Sequence, residues 1–232
     1  MDKFPALFEN PEGESVIKII TKLDVIKEEQ SKLRAKLRDE GKPETWIDIG
    51  VLVDDPYFLV IRDLVEFPGG FRSGYIRFIN RKSLEGGTGS VIIPVYQGQI
   101  CLQRHFRHAL RDWMWEIPRG FGEIGLSGFE NAKKELREEL GLVPSRLIPL
   151  GSGSPDFGAS DDNAQFFLAE IEEVTENIPT EGYHEGISDR ILVSVEEFER
   201  MIVKGEMQDS FSILAYTMAK IKGLLCESEV SP

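Results

Sequence analysis

The chain has 232 residues, 41% hydrophobic and 29% charged, with a formal net charge of −13. That acidity excludes nucleic acid and anionic membrane as natural partners, so an anionic small molecule would have to be met by local positive charge. Two cysteines far apart, Cys101 and Cys226, exclude a disulfide framework or a zinc spacing; with no apolar run of membrane length, the expectation is a cytoplasmic protein.

In chain order, Met1–Gly13 reads as irregular and Ser15–Arg38 as a helix, ended by Gly41 and Pro43. The period then shifts towards two. Strands are expected at Trp46–Val53, Tyr57–Phe67 and Gly74–Asn80, with turns at Asp55-Pro56 and Pro68-Gly69-Gly70. Such a sheet is too thin to stand alone. Residues 1–82 are therefore expected to form one unit of helix and small antiparallel sheet, and residues 83–232 a larger domain. Ser83–Gly89 reads as a linker. Val91–Tyr96 and Gln99–Arg104 read as a hairpin about Gln97-Gly98.

The stretch WEIPRGFGEIGLSGFENAKKELREELGL, Trp115–Leu142, combines a Gly-rich loop with a helix expected over Phe129–Leu140 and stopped by Gly141. Spacings of three and four put Glu135, Glu138 and Glu139 on one helix face. Three carboxylates there repel one another unless a cation lies between them, and hard divalent ions take such oxygen ligands. The glycines let a backbone carbonyl fold back to join them. KKELREEL also suits a plain solvated face laced with Glu–Lys pairs. Beyond the helix, Ser145–Gly151, Ala164–Val174 and Ile191–Val195 read as strands, and Val195–Val203 and Gln208–Leu224 as helices. Thr175–Asp189 is a long polar loop of the kind that forms lids, with Glu181, Glu185 and Asp189 as candidate bases.

This stretch resembles the Nudix box, G-x5-E-x7-R-E-U-x-E-E-x-G-U with U a bulky aliphatic. Gly120, Glu135, Leu136, Glu138, Glu139, Gly141 and Leu142 match; Leu126 stands for the first Glu and Lys134 for the Arg. In the family those two residues pair and brace the loop against the helix. Their joint loss implies that Lys134 finds another acid, water or a partner in its own helix. The loop would then be held by packing of Leu126, with Phe121 or Phe129. The segments RDLVEFPGG, LQRHFRHALRDWMWEIPRG and SPDFGASDD further resemble the ADP-ribose pyrophosphatase branch.

The resemblance implies an α/β fold, a Nudix α/β/α sandwich with mixed sheet, and a homodimer made through the small N-terminal sheet. It implies hydrolysis of the diphosphate linkage in a nucleoside diphosphate derivative, ADP-ribose or a nucleotide sugar first. Mg2+, with Mn2+ as the substitute, would sit on Glu135 and Glu139, with Glu138 joining at a second ion and the Gly120 carbonyl as a further ligand. Glu138, Glu139 and Glu185 would carry the catalysis, with Glu185 as the base. Arg104, Arg107 and Glu116 would contact substrate. A nucleotide-binding protein with weakened catalysis, and a hydrolase of nucleoside triphosphates or dinucleoside polyphosphates, are the competing readings.

Overall fold

A computed structural model describes residues 4–174 and 179–225, so Cys226 and part of the expected lid lie outside the described residues. The chain divides into two compact units, one of Met1–Leu84 with Asp156–Asp161, the other of Glu85–Pro155 with Asp162–Pro232.

In the first unit a two-residue strand β1 (Lys18–Ile19) precedes helix α1 (Leu23–Asp39); strands β2 (Gly50–Asp54), β3 (Phe58–Glu66) and β4 (Arg72–Asn80) follow, then one helical turn α2 (Arg81–Leu84). The expected helix from Ser15 thus begins eight residues late. The Asn10 side chain accepts from the Ile19 N–H at 2.7 Å and donates to its carbonyl at 2.9 Å, and Lys18–Ile19 pair with β3. Tertiary pairing overrides helical period there. The expected strand start at Trp46 is instead a 3-10 turn, Glu44–Ile47. Strand β3 is the centre of this sheet, antiparallel to each neighbour. Leu59, Ile61 and Ile79 form its small core.

The second unit is a mixed sheet of β5 (Gly89–Tyr96), β6 (Gln99–Arg107), β7 (Asp112–Glu116), β8 (Arg119–Gly120), β9 (Pro144–Gly153), β10 (Ala164–Ile171) and β11 (Ile187–Val193). Strands β5 and β10 run parallel; the other pairs are antiparallel. Helices α3 (Gly128–Leu140), α4 (Thr180–His184), α5 (Val195–Lys204) and α6 (Ser210–Ile221) complete it. Alternation along the strands sorts the core into two layers. Ile92, Cys101 and Phe167 meet Ala132, Leu136 and Leu140 of α3. Val91, Ile100, Leu102 and Phe166 meet Phe198 and Met201 of α5 and Phe211 and Ala215 of α6. That is the expected α/β/α sandwich. Truncating the fully buried Phe166 to Ala would cost about 3–5 kcal/mol.

Candidate active site

Helix α3 is set at both ends by local chemistry. Ser127 caps it: its hydroxyl accepts from the Glu130 N–H at 3.2 Å while the Glu130 carboxylate accepts from the Ser127 N–H at 2.9 Å. Gly141, at φ 67°, closes it in the left-handed conformation that glycine adopts without penalty. Three glycines fix the approach to it by near contact. A side chain at Gly120 would overlap the Glu135 carboxylate, one at Gly122 the backbone of Gly87–Thr88, and one at Gly128 the Gln165 amide. The Gly120 backbone therefore lies directly against Glu135. Upstream, the Ile117 N–H donates to Ser212 Oγ at 3.0 Å, and the Ile92 N–H to the Pro118 carbonyl at 3.0 Å.

The three carboxylates of the helix part company. Glu135 and Glu139 are buried, at 8% and 2% exposure. Glu138 sits at the rim, gripped by Lys134 one turn earlier. Burial pushes the Glu135 carboxyl up to about 7, against the charge of Lys134 and with the help of Glu185. Burial also holds Glu139 well above the carboxylate range, reinforced by the charge of Glu135. Glu139 accepts from Gln103 Nε2 at 2.9 Å and from the Arg119 N–H at 3.3 Å. Among the described residues, no three His, Cys, Asp or Glu side chains are placed to hold a metal ion together. Glu135, Glu139 and the Gly120 backbone nevertheless form an oxygen-rich set, short of positive charge, that suits a hard divalent cation.

Glu116 has the opposite surroundings. It is 1% exposed and meets Arg107 Nε at 2.7 Å, His105 Nδ1 at 3.1 Å and Arg119 at 3.7 Å. Burial alone would raise its carboxyl; the His105 and Arg107 hydrogen bonds and the arginine charges outweigh it and hold the group down at about 2. Arg119 in turn reaches Asp209 at 3.1 Å, and Asp209 caps α6 through the Ser212 N–H at 2.9 Å.

The residues named from sequence are thus unevenly placed. In the β6–β7 register, Gln103 stands opposite Glu116 and Arg104 opposite Trp115. Side chains alternate, so Gln103, His105 and Arg107 share the face of Glu116, while Arg104 turns to the other face. There its guanidinium lies 5.5 Å from the Trp113 ring and 6.0 Å from that of Trp115. Glu185 is exposed just after α4, and its charge is felt by both Glu135 and Glu139. Glu181 and Asp189 are exposed. Sequence reasoning passed over Gln103, Arg119 and the Ser127–Glu130 cap. The cap had a signal, S-x-x-E before the helix; Gln103 had only its place on the Cys101 side of an apolar strand.

The missing brace is filled. Lys134 Nζ lies 3.2 Å from Glu123 Oε1 in the loop, besides its contact with Glu138. Leu126 is half-buried, but Phe121 and Phe129 are 45% and 40% exposed, so packing is not the loop's chief restraint as expected. An acid reached Lys134 from three residues earlier in the loop.

The chain is 29% identical over 161 residues to an ADP-ribose pyrophosphatase of Mycobacterium tuberculosis, covering 67% of this chain and 73% of that protein. It is 25% identical over 150 residues to an ADP-ribose pyrophosphatase of Escherichia coli, covering 59% and 69%. A crystal structure of an ADP compounds hydrolase superposes with a TM-score of 0.62 at 18% identity, covering 77% of this chain and 95% of that one, a likeness of fold. The model of the NUDIX domain matches residues 88–212, more than half of the sequence, and the chain belongs to the Nudix hydrolase family.

Proposed function

We propose that this enzyme hydrolyses the diphosphate linkage of a nucleoside diphosphate derivative, with ADP-ribose or a nucleotide sugar as first candidate. The carrying observation is that Glu135 and Glu139 are buried side by side on a Nudix helix, both with raised carboxyls, and neither has an ion pair among the described residues. A folded protein tolerates such a pair when a cation is meant to neutralise it. Glu135, Glu139 and the Gly120 carbonyl would hold Mg2+, or Mn2+ in its place. When bound, the ion supplies charge stabilisation of phosphoryl oxygens and lowers the pKa of a coordinated water.

The protein's own groups do the rest. Gln103 and the Arg119 N–H orient Glu139 from behind. Glu116 fixes Arg107 through Nε and one terminal nitrogen, leaving other guanidinium N–H groups to grip a phosphate oxygen. Glu185, exposed just after α4, would accept the proton. A Mg2+-dependent hydrolysis panel over nucleotide sugars, dinucleotides and triphosphates tests the reading; a folded protein inert towards all of them would overturn it. The similarity to ADP-ribose pyrophosphatases favours ADP-ribose within the panel.

The exposed Val51, Leu52 and Val53 of edge strand β2, with Phe58 and Phe78, support a homodimer formed through the small sheet. Light scattering at micromolar concentration should give twice 26.2 kDa; a monomer mass removes it. A cytoplasmic setting accords with the free, buried Cys101, whose thiol burial pushes up to about 11.

A further inference from the structure

The loop between β8 and α3 is anchored by close backbone approach at Gly122 and at Gly128, but its middle makes a turn. The Leu126 N–H donates to the Glu123 carbonyl at 3.2 Å, and Gly125 takes φ +85°, the value required at the third position of a type II turn. The first and fourth residues of a β-turn lie within about 7 Å of each other. An acid at position 123 and an acid at position 126 therefore start from nearly the same place. This chain has its acid at 123, and Lys134 meets it at 3.2 Å while also gripping Glu138. The exchange of Arg for Lys fits the new arrangement. A guanidinium fork holds one carboxylate with two bonds, whereas an ammonium has three separate donors to divide between two carboxylates.

Building on the hydrolase reading, we propose that Glu123 and Lys134 are the positioning pair of this site: they tie the turn to α3 and hold Glu138 aside from the Glu135–Glu139 pair. The acid of the family's brace has crossed its turn, and the pair survives in another register.

Three proteins test this: the natural chain, Glu123→Gln, and Glu123→Gln with Leu126→Glu. Amide exchange of the Phe121–Ser127 peptide is read without metal or substrate, and Mn2+ affinity by calorimetry. An ion pair of this exposure is worth about a fivefold effect. Glu123→Gln should speed exchange and weaken Mn2+ binding by about that factor with the melting temperature lowered by no more than about 4 °C, and adding Leu126→Glu should restore both. Unchanged exchange in Glu123→Gln, or no recovery in the double variant, overturns the proposal. Because exchange is measured metal-free, a chain inert towards every substrate would sink the hydrolase reading and leave this one to be judged by exchange alone.

Discussion

Glu116 and Glu139 are neighbours about one amide, Gln103 Nε2 lying 3.4 Å from the first carboxylate and 2.9 Å from the second. Both are buried, yet Glu116 is held down at about 2 while Glu139 is held well above the carboxylate range. Burial acts alike on the two; the difference is cations. Glu116 has Arg107 and Arg119, besides its hydrogen bond with His105, whereas Glu139 has the second acid Glu135. The first is complete within the protein and serves to fix two arginines. The second is incomplete, and its incompleteness is what a metal would relieve.

Breaking the incomplete pair should have the largest effect. Glu139→Gln should lower hydrolysis on the order of 1,000-fold, with a metal-free melting temperature equal to or above that of the natural chain. Near-normal turnover of the folded variant would remove Glu139 from the chemistry. Breaking the complete cluster should damage the fold instead. Glu116→Gln leaves the half-buried Arg107 without its carboxylate, while Arg119 keeps Asp209, and should cost about 2 kcal/mol in urea unfolding; an unchanged midpoint would mean that Arg107 finds another partner.

The two regions also answer pH in opposite senses. Glu116 lies below its ordinary value, so its stabilisation is present above pH 4.5 and lost as pH falls towards 2. Glu135 lies above its ordinary value, so its contribution is full below pH 4.5 and lost as pH rises through 7. The metal-free melting temperature should therefore drop by a few degrees between pH 5 and pH 8. Mg2+ should raise it more at pH 8 than at pH 6, since the ligands must be deprotonated. A flat metal-free profile would contradict the raised carboxyls. The smallest contrast is between the faces of the β6–β7 ribbon: Arg107→Ala should raise KM well beyond Arg104→Ala, and the reverse ranking would move the substrate to the tryptophan face.

Much of this was legible in the sequence where the signal was local. The helix over Gly128–Leu140 and its Gly141 stop followed from local spacing, which also put Glu135, Glu138 and Glu139 on one helix face. Glu138 shares that face by spacing, and its i,i+4 relation to Lys134 also gives it the half-buried Glu–Lys pair that KKELREEL suggested. What could not be read was non-local. The Lys18–Ile19 strand depends on β3, the side to which Arg104 turns depends on strand register, and Glu123 reaches Lys134 only once the turn has formed. Asp209 caps α6 from within its own turn; its second duty, to Arg119, needs two distant segments together.

The segment Asp156–Asp161 belongs to the first unit although β4 ends at Asn80. The Phe78 N–H donates to the Ala159 carbonyl at 2.8 Å, the Asp161 N–H to the Phe78 carbonyl at 3.2 Å, and the Asn80 N–H to the Asp161 side chain at 2.9 Å, across 81 residues of sequence. On a ribosome the outer edge of β4 therefore emerges long before the strip of chain that covers it. At about 5–20 residues per second, the interval is roughly 4 to 16 s. Throughout it a nascent strand carrying Ile76 and Phe78 presents open backbone groups, the kind of template that recruits foreign strands. Cutting the gene after Leu84 would make that interval permanent.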